Sequence, residues 1–358
     1  MIHIVLGAFF GDEGKGQIVH NLSDSNSIIV RFSGGSQSGH TVISGNKKHV
    51  FSNFGSGTFK GCPTYWSEYC FVNPLSAIVE SKILLEKFNV TPKVIYNPLC
   101  QVITPMDISF QRKDKDNLKH GTVGTGYWPA IKRVMECCSL TVEECQNKKV
   151  LLSKLNSILE YYNETCVNIE ELAESYINWF KRNKIGFLKP SFSNIIFEGS
   201  QGILLDQKFG FYPHTTPSNT TGENAYKIIK SIGVKDIIVN YVSRIYITRH
   251  GNGPILSEPL ENIVNPEEIN VYNKFQGSLK YAKLDLDLLN HSINCNRIIT
   301  EKEGINVSSK ICFTCWDLKD QLTYINNLKE CSFSDLQPIY SKFRGIELSM
   351  FNCDKEIM

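Results

Sequence analysis

Short apolar runs alternate along the chain with longer segments whose apolar positions recur at helical spacing. The short runs predict strands that are buried on both faces, because they lack the polar alternation of half-exposed strands. These runs are Ile2–Leu6, Ser27–Phe32, Val94–Tyr96, Ile195–Phe197, Asp236–Val242 and Ile311–Trp316. The periodic segments predict helices at Gly16–Leu22, Ser76–Phe88, Glu144–Leu159 and Ile169–Asn183.

The alternation of these elements predicts an α/β fold with a mostly parallel central sheet flanked by helices. No repeat and no low-complexity linker divides the chain. We therefore interpret residues 1–358 as a single domain with several active-site loops. The charged stretch Gln111–His120 predicts one loop at the surface.

The composition narrows the classes of partner. The chain has 358 residues, 42% of them hydrophobic and 21% charged, which are globular values. The net charge is only +2 and no basic stretch is present. The charge pattern therefore does not indicate binding to nucleic acid or to a membrane surface. The first residues lack the pattern of a signal peptide, and no apolar run is long enough to cross a membrane. We expect a cytoplasmic protein.

Twelve cysteines are scattered at irregular spacing. Without an export signal, this pattern predicts reduced thiols rather than disulfides. Cys312 and Cys315 have the spacing of a metal or redox motif, but there is no second pair and no neighbouring histidine. They are more typical of ordinary buried thiols.

The segment Gly11–Gly16 reads Gly-Asp-Glu-Gly-Lys-Gly and follows the first predicted strand. Glycines allow backbone N–H groups to close on an anion, and the next helix adds its positive end. Lys15 supplies a cation for a terminal phosphate. A carboxylate such as Asp12 costs Coulomb energy beside phosphate unless a metal or proton transfer compensates. The pattern predicts a P-loop-like phosphate loop with a base or metal ligand inside it.

A second glycine-rich segment, Gly34–Thr41, follows the second predicted strand, and open α/β sheets bind ligands at such strand ends. His40 in this segment is a candidate general acid, since imidazole titrates near neutrality. The alternative is a histidine in a surface turn.

Three later segments carry further polar groups. Gln201, within Glu198–Asp206, offers an amide to a base edge or a reacting oxygen. The hydroxyls of Tyr212–Thr221 suit phosphate and ribose, although such clusters also form turns. Thr248–Pro254 places a cation in a glycine-rich loop.

Seven segments in order resemble the adenylosuccinate synthetase family, from the first residues to about Lys319. They are GDEGKG, GGSQSGHTV, QVITPMD, GTVGTG, FEGSQGILLD, YPHTTPSNTT and TRHGNGP. The resemblance implies that family's fold and a ligase reaction. L-aspartate is joined to C6 of a 6-oxopurine nucleoside monophosphate through a 6-phosphoryl intermediate, with a nucleoside triphosphate and Mg²⁺.

The resemblance also implies residue roles. Asp12 corresponds to the base and, with Gly39, to the Mg²⁺ ligands. His40 corresponds to the acid, Lys15 to the phosphate-binding lysine and Gln201 to the residue that steadies the intermediate. The implied triphosphate contacts are Gly11, Glu13, Gly14, Lys15, Gly16, Gln17, Gly39, His40 and Thr41. The implied monophosphate contacts are Asp12, Gln37, Gly121, Thr122, Gln201, Thr215 and Thr216.

The base of the triphosphate is read in the family by an aspartate in a Thr-Lys-x-Asp segment. Asp317 occupies that place here and favours GTP, because a carboxylate accepts from guanine N1–H and its amino group. Cys315 replaces the lysine, so ATP remains an alternative.

The family's arginine-rich loop, which holds aspartate and touches the ribose 2′-OH, corresponds to Phe275–Tyr281. All of its arginines are missing, and only Lys280 and Lys283 offer charge nearby. The implied aspartate contacts are Gly277, Ser278 and Lys280. The family is mostly dimeric, so we expect a homodimer, with Lys132 or Arg133 in place of an arginine that crosses the interface.

These departures and the short chain resemble a viral branch that condenses aspartate with dGMP. The product is N6-succino-2-amino-2′-deoxyadenylate, and the location would be the host cytoplasm. Several members of that branch replace the loop acid, whereas Asp12 is kept here, so an IMP-directed enzyme is the alternative. A catalytically silent nucleotide-binding regulator is the third hypothesis. It is disfavoured because Asp12, Lys15, His40 and Gln201 are all retained.

Overall fold

A nine-stranded sheet forms the centre of the molecule in the computed structural model. The structure describes residues 1–113, 124–165, 167–233, 236–261, 263, 268, 272–273 and 277–352. The predicted contacts Gly121 and Thr122, the residue Phe275 and most of the stretch Gln111–His120 lie outside these residues. Its first residues, 111–113, end a helix rather than begin a loop.

The strands and helices are numbered in chain order. The strands are β1 (Ile2–Gly7), β2 (Ser27–Arg31), β3 (His40–Ser44), β4 (Lys47–Phe51), β5 (Thr64–Trp66), β6 (Phe71–Val72), β7 (Val94–Tyr96), β8 (Gln101–Val102), β9 (Lys184–Ile185), β10 (Asn194–Gly202), β11 (Ile237–Arg244), β12 (Tyr246–Arg249), β13 (Tyr272–Asn273), β14 (Gly277–Ser278), β15 (Lys280–Asp285), β16 (Ser308–Thr314), β17 (Thr323–Asn326), β18 (Lys329–Ser332) and β19 (Glu347–Met350). The helices are α1 (Lys15–Leu22), α2 (Pro74–Phe88), α3 (Pro105–Lys113), α4 (Tyr127–Met135), α5 (Lys148–Tyr162), α6 (Ile169–Arg182), α7 (Glu223–Ile232), α8 (Leu286–Glu303) and α9 (Gln337–Lys342). Short 3-10 turns lie at Thr58–Lys60, Glu144–Gln146, Ile203–Leu205 and Trp316–Gln321.

The central sheet has the order β19-β16-β11-β1-β10-β2-β5-β7-β9, and its neighbouring strands pair in parallel. Ile4, Val5 and Leu6 on β1 are fully buried, as expected for a strand covered on both faces. The prediction of an α/β fold with a mostly parallel sheet between helices is confirmed.

Several predicted boundaries were wrong for local reasons. Asn147 caps α5 through its side chain, so the segment from Glu144 is a 3-10 turn followed by a separate helix. Strand β16 ends at Thr314, because Cys315 adopts a left-handed backbone with φ of 59°. Strand β10 continues beyond Phe197 to Gly202, so Gln201 lies on the strand rather than after it.

A second sheet, with the order β12-β15-β17-β18, packs beside the first. Strands β12 and β15 are antiparallel, and Arg249 lies directly opposite Lys280 in their register. Thr248 and Arg249 therefore belong to a strand, whereas the sequence suggested a loop. Among the described residues, no helix is both long and apolar enough to span a membrane.

Candidate active site

Five neighbouring strands of the central sheet end at one edge and bring distant segments together. These strands are β16, β11, β1, β10 and β2. The phosphate loop follows β1, and the segment with His40 follows β2. Gln201 lies at the end of β10, Arg244 ends β11, and Cys315 follows β16. Because parallel strands share the direction of their carboxyl ends, all of these groups converge.

They surround a cavity of about 430 Å³. Twelve of the predicted site residues line this cavity. They are all the predicted contacts within residues 11–17 and 34–41, together with Gln201. These residues are Gly11, Asp12, Glu13, Gly14, Lys15, Gly16, Gln17, Gln37, Gly39, His40, Thr41 and Gln201. The structure thus joins segments that are almost 200 residues apart in the sequence.

The backbone of the phosphate loop is left-handed at Gly11, Asp12 and Gly14, with φ of 100°, 61° and 93°. Glycine adopts this conformation without strain, but a residue with a side chain such as Asp12 does so at a cost. Helix α1 begins directly after the loop and has no side-chain cap, unlike α2, α5, α6 and α8. Its N-terminal N–H groups therefore remain available to an anion at the cavity.

Glu13 holds the loop together from inside. Its carboxylate accepts from the Phe9 and Gly11 N–H groups at 3.1 and 2.8 Å, and from Lys15 Nζ at 2.6 Å. A Cβ on Gly7 would lie 2.4 Å from this carboxylate, so glycine is needed there. In this structure the buried ammonium group of Lys15 is thus neutralised within the loop.

Side chains from the neighbouring strands hold three successive carbonyl groups of the loop. Thr248 Oγ1 donates to the Gly11 carbonyl at 2.9 Å. Arg244 Nε donates to the Asp12 carbonyl at 2.6 Å, and Thr314 Oγ1 donates to the Glu13 carbonyl at 2.7 Å. These contacts fix the strained conformation at Asp12.

The Asp12 carboxylate faces a mixed environment. Its partial burial raises its pKa, and the nearby Arg244, His250 and Lys15 act in the opposite direction. His250 Nε2 lies 3.8 Å from Asp12 Oδ2. A carboxylate with a raised pKa accepts a proton more readily, which suits a general base.

His40 is buried against a carboxylate that the sequence did not identify as functional. Its Nδ1 lies 2.6 Å from Glu198 Oε1, and Glu198 also accepts from the Ser56 N–H and hydroxyl. Burial would raise the pKa of Glu198, but His40, Arg31 and Ser56 together lower it to about 2. Burial lowers the pKa of His40, and Glu198 opposes that shift. An ionised Glu198 thus orients the imidazole toward the cavity.

Two buried amides at the cavity have no partner within the described part of the protein. Both amide atoms of Gln37 and the Oε1 of Gln201 lack a hydrogen bond. Buried amides are nearly always satisfied, because an unpaired one costs about 1 to 3 kcal/mol. A polar ligand in the cavity would complete these hydrogen bonds.

Other predicted contacts lie outside the cavity wall. Thr215 and Thr216 are half-buried and follow His214, whose carbonyl accepts from Arg249 at 3.0 Å. Asp317 is exposed in the 3-10 turn after β16, two residues beyond Cys315, which does line the cavity. The predicted aspartate contacts Gly277, Ser278 and Lys280 lie on β14 and at the start of β15.

Two cations do not fit the roles considered for them. Arg133 is fully buried and pairs with Asp107 of its own chain at 2.7 Å, so it is not available to cross a subunit interface. Lys132 is exposed on α4 and keeps that possibility. Lys283 is engaged by Glu258 and Glu330 at 2.8 and 2.7 Å, which leaves Lys280 as the lysine for an anion.

The sequence missed several residues that the structure places at or behind the cavity. They are Arg31, Lys48, Glu198, Arg244, His250 and Glu268. Glu198 lay inside a recognised motif, and its position after an apolar strand was a usable signal. Arg244 and Glu268 form an ion pair between two distant segments, which no local pattern reveals.

The donor groups of the site fit Mg²⁺ in one respect. Within the described ranges no cluster of three or more histidine, cysteine or acidic residues forms a metal cage. Mg²⁺, however, is commonly held by one or two protein oxygens together with substrate phosphates and water. Asp12 and Gly39, which the resemblance assigns to Mg²⁺, both line the cavity, and an aspartate carboxylate or a backbone carbonyl is an oxygen donor of this kind.

Comparison with known proteins gives a consistent result. The sequence model of the family described as adenylosuccinate synthetase matches residues 4–355. Adenylosuccinate synthetase of Wigglesworthia glossinidia brevipalpis is 33% identical over 73% of this chain and 66% of its own length. Adenylosuccinate synthetase of Thermoplasma volcanium is 27% identical over 96% of this chain and 85% of its own.

Two solved structures share the fold. Fully ligated adenylosuccinate synthetase of Plasmodium falciparum superposes with a TM-score of 0.69 at 21% identity, covering 88% of this chain and 77% of its own. Succinoaminodeoxyadenylate synthetase of cyanophage S-2L, bound to dGMP and dATP, gives 0.61 at 13% identity. That match covers 97% of this chain and 91% of the phage chain.

Proposed function

The chain belongs to the adenylosuccinate synthetase family of C–N bond-forming ligases, which condense aspartate with a purine nucleotide, and we propose dGMP as its acceptor. The product would be N6-succino-2-amino-2′-deoxyadenylate, a precursor of 2-aminoadenine DNA. The main support for a reaction on a nucleotide is that one cavity is lined by Asp12, Lys15 and His40. The same cavity is lined by Gln37 and Gln201, whose buried amide atoms include some without a hydrogen-bond partner among the described residues.

The proposed reaction assigns a role in phosphoryl transfer to several residues of the cavity. Asp12 removes the N1 proton of the purine, and O6 then attacks the γ-phosphoryl group of the triphosphate, which breaks the bond to the β-phosphate and releases the nucleoside diphosphate. The N–H groups at the start of α1 and the Lys15 ammonium neutralise the phosphate oxygens. His40, whose Nδ1 is held by Glu198, donates from Nε2 to the transferring group when its imidazole is protonated. The amino group of aspartate then displaces phosphate from C6 and loses a proton, which forms the C–N bond.

Mg²⁺, held by Asp12 and Gly39, would neutralise charge between the phosphates when bound. For the donor we propose GTP, since Asp317 lies in the turn beside the cavity wall and accepts from guanine N1–H and its amino group. ATP is the alternative donor. We also propose a homodimer, as expected for the family. Lys132 would then take the place of the arginine that crosses the subunit interface in the family.

The choice of dGMP is supported by the β14–β15 region. The exposed Ser278 stands where the family has arginine-rich sequence, and no arginine lies between it and Asp285. A contact to the ribose 2′-OH is dispensable for a deoxynucleotide. The structural match to the phage enzyme, which was solved with dGMP, covers nearly the whole length of both chains. IMP is the second candidate, because Asp12 is retained and the two sequence relatives described above are adenylosuccinate synthetases.

The test is a substrate panel with the purified protein, L-aspartate and Mg²⁺. IMP, GMP, dIMP and dGMP are each offered with GTP or ATP, and both phosphate release and the succino-nucleotide are measured. We expect the highest kcat/KM with dGMP. Turnover with IMP alone would make the protein an ordinary adenylosuccinate synthetase. Binding without turnover of any nucleotide would support the regulator hypothesis instead.

A further inference from the structure

A buried carboxylate on α2 holds the chain directly after β4. It belongs to Glu80, which is only 7% exposed. The carboxylate accepts from the Ser52 N–H at 3.2 Å and from the Asn53 N–H at 2.8 Å. The side-chain amide of Asn53 also donates to it at 2.8 Å. Burial of a carboxylate is costly unless donors surround it, so these contacts tie residues 52–53 firmly to α2.

The same carboxylate also contacts β4 itself. His49 Nε2 on β4 lies 3.3 Å from Glu80 Oε1. The His49 ring packs edge-on against three aromatic rings, those of Phe51, Phe59 and Phe88. Glu80 therefore holds β4 and the two residues that follow it at three points, beside an apolar cluster that fixes the strand against α2.

Residues 51–56 support His40 in two ways. Phe51 is the register partner of His40 in the antiparallel pair of β3 and β4. Ser56 donates its N–H and its hydroxyl to Glu198, whose Oε1 lies 2.6 Å from His40 Nδ1. The two residues that Glu80 holds lie between Phe51 and Ser56 in the chain. The carboxylate of Glu80 is thus connected to both supports of the imidazole.

The stretch between these supports is too closely packed to absorb a displacement. The Gly55 N–H donates to the Thr64 hydroxyl at 2.7 Å, and the Asn53 carbonyl accepts from Trp66 Nε1 at 3.0 Å. A Cβ on Gly55 would lie 2.5 Å from the Ile29 side chain, so only glycine fits there. Close-packed segments transmit strain, so we expect a shift at residues 52–53 to reach Ser56.

We propose that Glu80 is a positioning residue, which acts through residues 51–56 to hold the His40 imidazole and the Glu198 carboxylate in the geometry for phosphoryl transfer. The proposal rests on the proposed function, in which His40 donates to the transferring group. Glu80 is not among the described residues that line the cavity, so its effect on the reaction is indirect. The alternative role of Glu80 is to stabilise the fold alone.

The first test uses Glu80→Gln. The amide keeps the size of the side chain but turns an NH₂ group toward one of the N–H groups that the carboxylate accepts from. We expect kcat to fall about tenfold, because displacement of a reacting group by about 1 Å reduces the rate by up to about 10²-fold. The nucleotide KM should stay nearly constant, since the phosphate loop is unchanged. Glu80→Asp keeps the carboxylate and should lower kcat less.

Glu144→Gln is the matched control. Glu144 also accepts from a backbone N–H and a hydroxyl, both of Thr141, at 2.8 and 3.1 Å. It lies in the 3-10 turn before α5 and is not among the described residues that line the cavity. We expect this variant to lower the Tm and to leave kcat unchanged. A purely structural Glu80 would give the same pattern.

The second test observes the imidazole directly. The protein is labelled with ¹⁵N-histidine, and the His40 signals in the ¹H–¹⁵N NMR spectrum are assigned by their loss in His40→Gln. The Nδ1 signal reports the hydrogen bond to Glu198. We expect this signal to shift in Glu80→Gln in the same direction as in Glu198→Gln. It should not move in Glu144→Gln.

The outcomes distinguish this proposal from the proposed function, because the NMR spectrum does not depend on turnover. If no nucleotide is turned over, a shifted His40 signal in Glu80→Gln still supports the positioning role. If Glu80→Gln does not fold, Glu80→Asp provides the same two measurements. A normal kcat with an unchanged His40 signal in the folded variant would overturn the proposal. A rise in the nucleotide KM at constant kcat, or an equal loss of kcat in Glu144→Gln, would also overturn it.

Discussion

Charged side chains are compensated differently in two regions of the molecule, the acid–base cluster of the cavity and the paired strands β12 and β15. In the acid–base cluster of Asp12, Lys15, His40 and Glu198, each charged group faces an opposite charge or a hydrogen-bond partner within the protein. Arg249 and Lys280, which lie opposite each other on β12 and β15, donate to backbone carbonyls but face no opposite charge among the described residues. The charged groups of the acid–base cluster are thus compensated within the protein, whereas the charges of Arg249 and Lys280 are not.

This difference has a physical reason. Proton transfer requires a donor or acceptor held in one geometry, which internal hydrogen bonds provide. Two like charges that lie opposite each other without an opposite charge destabilise the strand pair that carries them.

The largest expected effect is that of Asp12→Asn. The amide keeps the size of the side chain but cannot accept the N1 proton, so kcat should fall about 10³-fold. Nucleotide binding should persist, because the N–H groups and Lys15 are unchanged. Steady-state rates and nucleotide titration by calorimetry measure the two effects. A near-normal kcat would exclude Asp12 as the base.

The next effect concerns the internal pairing of the acid–base cluster. Glu198→Gln leaves the buried His40 and Arg31 without a carboxylate, which should cost about 3 kcal/mol of unfolding free energy at neutral pH. Chemical denaturation measures this loss. Lys280→Gln serves as the comparison, because Lys280 faces no carboxylate among the described residues and no such loss is expected. Equal destabilisation in both variants would contradict the contrast between the two regions.

The same variant changes the pH dependence of stability. The pKa of Glu198 is about 2 in the folded protein, below the ordinary glutamate value of 4.5. Its ionised form therefore stabilises the fold above that ordinary value, and this contribution is lost as the pH falls toward 2. The wild type should lose unfolding free energy more steeply than Glu198→Gln between about pH 5 and pH 3. Parallel curves would disprove the lowered pKa.

A smaller effect is expected at Thr248, which contacts the phosphate loop from the same strand that carries Arg249. Thr248→Val removes the hydroxyl that holds the Gly11 carbonyl and should cost about 1 kcal/mol. The rate should fall while the KM for L-aspartate stays constant. Thr248→Ser keeps the hydroxyl and should restore the rate. An altered KM for L-aspartate would show that the two regions are coupled through β12.

The smallest effect concerns the sugar. Restoring a family-like arginine at Gly277 would strain the chain, because its φ is 74°, so Ser278 is the better position. Ser278→Arg should shift the preference a few-fold toward ribonucleotides if this segment reads the 2′ position. The ratio of kcat/KM for GMP and dGMP measures the shift. An unchanged ratio would remove this segment from sugar selection.

The sequence predicted the fold and much of the cavity because both depend on local patterns. Buried strands were visible as apolar runs, and the glycine-rich segments at their ends predicted where Asp12, His40 and Gln201 would meet. The partners of these residues depend on pairing between distant strands. Glu198 reaches His40 across 158 residues, and Arg249 opposes Lys280 only in the register observed for β12 and β15. Neither relation leaves a local signal.

The left-handed backbone of Asp12 has an evolutionary consequence. Replacing it with glycine would relieve a conformational cost of about 1 kcal/mol, but it would also remove the attraction of the carboxylate to Arg244, His250 and Lys15. Under the proposed function, this conformational cost is what the loop bears in order to hold a base beside the phosphates. A relative that used another proton acceptor would not have this requirement, and a small residue would then suit the position.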